Sequence, residues 1–248
     1  MRVFFDTETS HLPEAVSDDK SILIQLAYVA QKDNKMKLVF DLMLPEDFNG
    51  IDPEQMAVHH LTPEMIETRS YVHCTPAFLT FQKMISVPET ILIAHNIKFD
   101  EDVLRREGVE LSNTPKIDTL KIVKFFNDKT GMKWKSLKLD YLVYYYRLDK
   151  YIESMFEKLN CKPTHQNHDA TYDTVKLMLV FEKLKSLLQA SDEQLIELTK
   201  NPIFLTHVPF GHNKGKKFVD LPFNQLRWQA DNSFDEDVRF TCKKLLEN

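Results

Sequence analysis

Acidic side chains stand at three places in this chain where their type and spacing could bind a metal ion. The first pair, Asp6 and Glu8, follows the apolar residues 3–5. Positions i and i+2 of a strand point to the same face of a sheet, so both carboxylates would lie together at the end of a buried strand. They would repel each other unless a cation compensates their charge, although an exposed strand end also explains the pair. We therefore take Asp6 and Glu8 as candidate ligands of a divalent cation.

The second acidic position is Asp100, at the junction between a predicted strand and a predicted helix. The sequence ILIAHNIKFDEDV, residues 91–103, places a short apolar run before His95 and Asn96 and an acidic segment after Phe99. A buried strand that ends just before His95 would bring Asp100 beside the end of the sheet, at the start of a helix. Capping of that helix is the alternative explanation for the carboxylate. Asp100 is thus a third candidate metal ligand.

The third acidic position closes the segment HDATYD, residues 168–173, which opens a long amphipathic run. Five residues turn an α-helix by about 500°, so His168 and Asp173 would not share one helix face. We predict that His168 lies in the loop entering the helix and that Asp173 lies inside the helix. Asp173 would then point at the other carboxylates, with His168 above them. A helix cap and a solvated carboxylate are the alternative explanation.

To bring the acidic positions together, the fold needs a sheet whose strand ends lie beside the starts of helices. The hydrophobic pattern predicts such a sheet. Apolar runs rich in strand-forming residues occur at 3–5, 21–30, 36–44 and 91–94, and the second and third form a predicted hairpin. Helices are predicted at residues 62–67, 76–85, 99–108, 118–126, 137–148 and 169–188. Strands that come first and then alternate with helices are typical of an α/β domain with a mixed sheet.

The order of the three acidic motifs is more specific than any one of them. A D-x-E on the first strand, HNxxFD after a middle strand and HxAxxD at the last large helix stand here as DTET, AHNIKFD and HDATYD. This order resembles the DEDDh (DnaQ-like) family of 3′→5′ exonucleases. The resemblance implies an α/β fold of the ribonuclease H type, a mixed sheet flanked by helices, over residues 1–188.

Residues 189–248 are predicted to form a small C-terminal module. It starts with a helix at 191–201 that carries a capping box. The stretches PFGHNKGKKFVDLP, residues 209–222, and LRW, residues 226–228, resemble the C-terminal module of one exodeoxyribonuclease branch of the family. The resemblance therefore extends over nearly the whole chain.

Two features of this module depart from the family pattern or repeat an earlier motif. The branch usually carries FGK-aromatic-[KR]GK, whereas the segment here is FGHNKGK, in which His212 replaces a lysine and Asn213 replaces an aromatic residue. The segment FDEDV occurs twice, at 99–103 and at 234–238. The second copy has no strand and no HN before it, so we interpret it as an acidic helix start, which favourable charge at a helix N-terminus explains.

The resemblance assigns a role to each motif residue. It implies two Mg²⁺ ions, for which Mn²⁺ could substitute, held by Asp6, Glu8, Asp100 and Asp173. His168 would be the general base that takes a proton from the attacking water. A further group would contact the substrate nucleotides: Thr7, Thr9, Leu12, Glu54, His59, His95, Asn96 and Phe99. For Leu12, His59 and Asn96 in that group, a structural or surface role is the alternative.

Lysines are concentrated in two segments that could contact a phosphate backbone. Residues 116–138 carry seven lysines against two aspartates, with Phe125 and Trp134 among them. A lysine track with aromatic side chains fits strand binding, although an amphipathic helix with a solvated lysine face is the alternative. The second segment, KGKK at 214–217, could hold a backbone or be a flexible loop.

The overall composition excludes some classes of protein and leaves nucleic acid open as a partner. The formal net charge is -5 at pH 7, whereas proteins that coat nucleic acid are usually basic, so any contact would need local patches. Five glycines and no glycine-rich motif argue against a phosphate-binding loop. Three distant cysteines indicate neither a zinc site nor disulfides, and no signal-peptide or membrane-spanning stretch is predicted, so we expect a cytoplasmic protein.

The resemblance therefore implies a 3′→5′ exonuclease that releases 5′-mononucleotides from DNA in repair or recombination. The expected partners are DNA 3′ ends, single-stranded or in duplexes with frayed or overhanging ends, with RNA possible, no membrane, and a homo-oligomer possible. RNA trimming and a polymerase proofreading subunit are alternatives with the same site. A DNA-end-binding module without chemistry and a phosphatase or nucleotide hydrolase are alternatives of other classes.

Overall fold

The strand β1, Arg2–Thr9, lies at the centre of the sheet and is buried on both faces. Val3 and Phe5 point to one face of the sheet and Phe4 to the other, and all three are fully buried. A strand that is apolar on both faces must be covered by helices on both sides. The protein is described by a computed structural model, which covers residues 1–162 and 169–247.

The sheet is five-stranded and mixed, with the strand order β3-β2-β1-β4-β5. β1 pairs antiparallel with β2 and parallel with β4, while β2 pairs antiparallel with β3 and β4 parallel with β5. The other strands are β2 (Leu23–Lys32), β3 (Lys35–Leu42), β4 (Ile91–Ala94) and β5 (Lys116–Asp118). β1 therefore lies where the sheet changes from antiparallel to parallel pairing.

The helices cover both faces of this sheet and continue beyond it. They are α1 (Pro53–His59), α2 (Pro63–Ile66), α3 (Pro76–Ile85), α4 (Ile97–Arg106), α5 (Thr119–Lys129), α6 (Leu139–Tyr145), α7 (Asp149–Lys158), α8 (Ala170–Leu188), α9 (Asp192–Lys200), α10 (Phe223–Asn232) and α11 (Glu236–Leu246). None of these described helices is both long and apolar enough to cross a membrane.

Each face of the sheet has its own hydrophobic core. On the Phe4 face, α8 buries Phe181, whose ring meets that of Phe4 at 5.4 Å between centroids. On the opposite face, Phe81 of α3 packs against Phe5 at 5.4 Å, and α4 adds Val103. The sheet is thus held between α8 on one side and α3 with α4 on the other, as an α/β domain of the ribonuclease H type requires.

The predicted α/β fold is confirmed, with differences in short elements. β1 to β4 and the helices α3, α4, α5 and α8 all lie within or close to the segments predicted for them. β5 was not predicted, because three residues are too few to show alternation. The predicted helix 137–148 ends at Tyr145, and Arg147 then takes a positive φ of 54° before α7 begins.

The C-terminal residues form a third hydrophobic cluster of their own. Its buried members run from Ile203 to Cys242 and include Phe218 and Leu226. Helix α9 starts with the expected capping box, but its Leu195 is buried in the core shared with α8. The division of the chain into residues 1–188 and 189–248 stays a proposal.

Candidate active site

The end of β1 presents two carboxylates on one face of the sheet. Asp6 lies opposite Ala27 and Glu8 opposite Gln25 in the antiparallel pairing with β2. The residues between and after them, Thr7 and Thr9 in the sequence, point to the other face. The spacing i, i+2 therefore places Asp6 and Glu8 side by side, as predicted, on the side of the sheet that α8 covers.

Helix α8 brings Asp173 to the same place, because hydrogen bonds attach its first turns to β2. The amide of Ala170 donates to Oε1 of Gln25 at 3.0 Å, and Oγ1 of Thr174, which donates to the carbonyl of Ala170 at 2.7 Å, also lies 3.3 Å from the carbonyl of Ala27. Asp173 lies between these two contacts. Single carboxylate oxygens of Asp6, Glu8 and Asp173 all lie within 4.8 Å of one another.

Asp100 reaches the cluster from the first turn of α4. It is almost completely buried, with 2% of its surface exposed. Oγ1 of Thr7 donates a hydrogen bond of 2.7 Å to Oδ1 of Asp100. Since Thr7 stands between Asp6 and Glu8 on β1, this bond fixes Asp100 relative to the strand that carries the other carboxylates.

Mutual repulsion and burial make this a site that disfavours negative charge in the absence of a cation. Burial, then Asp100 and Glu8, raise the pKa of Asp6 well above its usual range. Burial and the facing Asp173 do the same to the pKa of Glu8. Burial raises the pKa of Asp100 to about 7, although the Thr7 hydroxyl opposes this shift. Carboxylates gathered against their own electrostatics are typical of functional sites.

A buried lysine, which the sequence analysis did not identify, faces this cluster. Nζ of Lys176 lies 2.8 Å from Oδ1 of Asp173 and 2.5 Å from Oδ1 of Asp140 on α6, and 2% of its side chain is exposed. Burial lowers the pKa of Lys176, but Asp173 and Asp140 outweigh it and the net shift is upward. The i, i+3 spacing of Asp173 and Lys176 was a visible signal, whereas nothing near Asp140 in the sequence indicated this contact.

The donor set of the cluster fits a divalent cation. Carboxylate oxygens are hard ligands of the kind that Mg²⁺ and Mn²⁺ take in proteins. Lys176 supplies one positive charge against four carboxylates, Asp6, Glu8, Asp100 and Asp173. A bound cation would remove the repulsion that raises the pKa values of Asp6 and Glu8.

Comparison with known families decides what kind of protein carries this site. Residues 3–181 match the family model described as Exonuclease (RNase_T), which covers the whole sheet and extends into α8. The chain belongs to the exonuclease family. Exonucleases of this family depend on divalent metal ions, and the carboxylate cluster supplies suitable ligands.

The relatives of this exonuclease include an enzyme of similar length. The chain is 24% identical over 251 residues to Exodeoxyribonuclease 10 of Escherichia coli (strain K12), covering 98% of this chain and 97% of the relative. This agrees with the branch indicated by the C-terminal residues, that of exodeoxyribonuclease X, and confirms the resemblance.

Solved structures show the same fold. The structure of exonuclease X in complex with 5′ overhanging duplex DNA matches with a TM-score of 0.59 and 20% identity, over 80% of this chain and 99% of that one. Cell-death related nuclease 4 matches with a TM-score of 0.53 and 15% identity, over 75% of this chain and 64% of that one.

Two histidines predicted to contact substrate are held by the protein itself. Nδ1 of the buried His59 accepts from the amide of Leu61 at 3.0 Å, so Nε2 carries the proton and donates to the carbonyl of Thr9 at 3.2 Å. Burial lowers the pKa of His95 to about 4, and its Nε2 donates to the carbonyl of Leu137 at 3.0 Å. Both imidazoles thus connect an end of the central sheet to a neighbouring segment.

The other predicted substrate residues differ in how much surface they expose. Asn96 is exposed at the start of α4, with φ 71°, and its backbone amide donates to Oδ1 of Asp118 at 3.0 Å. Asparagine tolerates this left-handed conformation better than most residues, which is a structural reason for its presence. Glu54 is exposed on α1, while Leu12 and Phe99 are half-buried.

Thr7 and Thr9 complete the predicted set at the end of β1, and both are buried. His168, the predicted general base, lies outside the residues that the structure describes. The interpretation of Trp134 as part of a lysine track that stacks on bases is wrong. Trp134 is 2% exposed, and its ring stacks on that of Phe126 at 5.3 Å between centroids, so it cannot stack on a base.

Proposed function

We propose that this exonuclease is a metal-dependent 3′→5′ exodeoxyribonuclease, which releases 5′-mononucleotides from DNA ends during repair or recombination. The observation that carries the proposal is the convergence of Asp6, Glu8, Asp100 and Asp173 at the end of β1 in a fold of this family. The similarity to Exodeoxyribonuclease 10 over nearly the whole chain supports DNA as the substrate.

The four carboxylates would hold two Mg²⁺ ions, with Mn²⁺ as a substitute. When bound, two such ions stabilise both the attacking and the leaving oxygen of a phosphodiester. Asp6, Glu8 and Asp173 offer oxygens close enough to share a cation. Thr7 would keep Asp100 in place through its 2.7 Å hydrogen bond while the ions bind.

His168 would act as the general base. The residue lies in the sequence immediately before Asp169, whose carboxylate caps α8 by accepting from the amide of Thr171 at 2.8 Å. This cap fixes the first turn of α8, which carries Asp173. A base in this position would take a proton from the attacking water, which typically contributes about 10²–10⁴-fold in rate.

The 3′-terminal nucleotide would be held by a wall built from β1, α1 and α4. Thr7, Thr9, Leu12, Glu54, Asn96 and Phe99 would contact it. Contacts of Thr7 with Asp100 on α4 and of Thr9 with His59 on α1 hold these elements together at the end of β1. Because both ring nitrogens of His59 and His95 have partners in the protein, these histidines would shape the wall from behind. The expected substrates are single strands and duplexes with frayed or overhanging 3′ ends.

The experiment uses matched DNA and RNA oligonucleotides with a label at the 5′ end, incubated with Mg²⁺ or with EDTA. We expect a Mg²⁺-dependent ladder that shortens from the 3′ end of DNA. His168→Ala should slow it by about 10²–10⁴-fold. His165→Ala, which removes another histidine of the same segment, is the matched control and should retain the ladder.

Each other result would replace the proposal with a defined alternative. A ladder on RNA alone would make the protein an exoribonuclease. Cleavage of free nucleotides without a ladder would indicate a nucleotide hydrolase. Binding of DNA ends without any metal-dependent product would indicate a binding module.

A further inference from the structure

Two lysine-rich segments lie side by side on the surface next to the candidate active site. The first is the loop at 130–138, and the second is the tight loop at 207–217; neither contains an acidic residue. Nζ of Lys214 donates a 2.5 Å hydrogen bond to the carbonyl of Lys135, which joins the two. Their exposed lysines, here called the lysine surface, are Lys133, Lys135, Lys138, Lys214, Lys216 and Lys217.

A buried asparagine and a tryptophan anchor the loop at 130–138. The amide of Trp134 donates to Oδ1 of Asn127 at 2.8 Å, and the amide of Met132 donates to the Asn127 carbonyl at 2.7 Å. Trp134 is buried between two exposed lysines, Lys133 and Lys135. These lysines therefore project from a fixed backbone, which lowers the entropy lost when they bind a ligand.

The loop at 207–217 is closed on itself and attached to α5. The amide of Val208 donates to the carbonyl of Lys216 at 2.9 Å, which closes the loop. Oδ1 of Asp128 accepts from the amide of His207 at 2.7 Å, which attaches the loop to α5. Since α5 ends at Lys129, immediately before the first loop, one helix holds both lysine segments in a fixed relation.

Two contacts connect the end of the lysine-rich loop 130–138 to the candidate active site. The carbonyl of Leu137, next to Lys138, accepts from Nε2 of His95 at the end of β4. Two residues after Lys138, Asp140 pairs with Lys176, which in turn contacts Asp173. The chain thus passes directly from the exposed lysines to the carboxylate cluster.

An aromatic side chain adds a second feature suited to a nucleic-acid strand. Phe234 is 83% exposed, and its ring stacks on that of Phe210 at 4.9 Å, in the loop that carries Lys214. Lysines beside an exposed aromatic face are typical of surfaces on which a strand binds through phosphates and base stacking.

We propose that the lysine surface binds the phosphate backbone of a nucleic-acid strand, at nucleotides remote from the 3′ end that enters the active site. A net charge of -5 and a cluster of four carboxylates repel a polyanion, and six exposed lysines on two anchored loops offset the repulsion. The inference rests on the proposed function for its choice of ligand. It gives the C-terminal residues a role in holding substrate.

The test compares two variants of the full chain that each lose three exposed lysine charges. The first is the triple variant Lys133→Gln, Lys135→Gln and Lys217→Gln. The matched control is Lys32→Gln, Lys35→Gln and Lys37→Gln, on the hairpin of β2 and β3. Affinity for a labelled single strand of about 30 nucleotides, longer than the ~4–16 that one binding site covers, is measured in EDTA over about 50–300 mM NaCl. A strand of about 4 nucleotides is measured alongside.

We expect the first variant to bind the long strand at least about 10-fold more weakly at low salt, with a salt slope shallower by about 2. The control should match the wild type, and binding of the short strand should not change in either variant. Equal weakening in both variants, no weakening in the first, equal weakening on the short strand, or no wild-type binding would each overturn the inference. Because EDTA removes cleavage from the measurement, failure of the proposed activity on Mg²⁺ would be seen separately.

Discussion

The five residues FDEDV occur twice in this chain, at 99–103 and at 234–238, and the fold uses the two copies in opposite ways. In the first copy, Asp100 is buried beside other carboxylates, and its pKa is raised to about 7, chiefly by burial. In the second copy, Asp235 and Asp237 are also buried, but both pair with Lys124 at 2.6 and 2.9 Å.

The second copy is a structural element in which the protein supplies every charge that the carboxylates need. Oδ1 of Asp235 accepts from the amides of Asp237 and Val238 and so caps α11. Oδ1 of Asp237 accepts from the amide of Ile203 at 2.8 Å, which attaches α11 to the start of the C-terminal cluster. This copy confirms the interpretation of 234–238 as an acidic helix start.

The comparison shows that neighbours, not the local sequence, distinguish the candidate metal ligand Asp100 from the structural acid Asp235. Both copies begin a helix and both bury their second residue. Asp235 and Asp100 both accept hydrogen bonds from backbone amides, but Asp235 also pairs with a lysine, whereas Asp100 accepts from the Thr7 hydroxyl and faces more carboxylates. A buried acid surrounded by like charges destabilises the metal-free protein, and such local conflicts mark functional sites.

The largest expected effect comes from neutralising one acid in each copy of FDEDV. Asp100→Asn should lower kcat by about 10³-fold or more, because losing a metal ligand removes several kcal/mol of transition-state stabilisation. The metal-free variant should be as stable as the wild type or more stable, since one repelling charge is gone. Asp237→Asn should retain the activity of the folded enzyme and lose about 1–3 kcal/mol of stability.

These two variants are compared by single-turnover cleavage of labelled DNA and by urea unfolding in EDTA. The interpretation of the two copies would be wrong if Asp237→Asn lost activity while folded. It would also be wrong if Asp100→Asn cleaved DNA normally.

The sequence predicted much of the candidate site because the four candidate ligands follow short-range rules. Asp6 and Glu8 share a face through strand alternation, and Asp100 and Asp173 follow from helix starts beside strand ends. The order of the three motifs then placed the chain in a family before any contact was known.

The contacts that surround those ligands could not be predicted, because they join residues far apart in sequence. Lys176 meets Asp140 across 36 positions, and Lys124 meets Asp235 across 111. The same reason explains the wrong interpretation of Trp134. Its neighbours in sequence suggested a base-stacking surface, whereas packing against Phe126 buries it.

A second comparison uses the two buried lysines that serve these clusters. Lys124→Met should cost about 3–5 kcal/mol, because it leaves Asp235 and Asp237 buried without their cation. Lys176→Met also removes a cation, from Asp173 and Asp140, but there a bound metal ion could replace the missing charge. Saturating Mg²⁺ should therefore stabilise Lys176→Met more than it stabilises the wild type, by the linkage between ligand binding and folding.

The measurement is the free energy of urea unfolding, with Mg²⁺ and with EDTA, for the wild type and both methionine variants. Lys124→Met is the control and should gain no more from Mg²⁺ than the wild type does. An equal gain in all three proteins would mean that Lys176 and the metal ions do not compensate the same charges.

The smallest expected effect separates the two kinds of carboxylate by the pH dependence of stability. In the metal-free protein, burial and like charges raise the pKa values of Asp6, Glu8 and Asp100, so the folded state keeps protons that the unfolded state releases. Stability should therefore fall as pH rises from about 4 to about 7, by up to ~1.4 kcal/mol per pH unit for each proton.

Asp128 should behave with the opposite sign. Burial raises its pKa, but the amides of Thr206 and His207 outweigh burial and hold the pKa below the usual value. Its contribution is present above the pKa of an unfolded aspartate and is lost only as pH falls below that range. Asp100→Asn should therefore flatten the fall in stability between about pH 4 and 7, while Asp128→Asn should leave the slope intact and lower stability throughout.

Urea unfolding in EDTA at several pH values measures both slopes. A wild-type stability that rises over this range would mean that the cluster holds its negative charge without a cation, and the contrast between the two copies of FDEDV would lose its electrostatic basis.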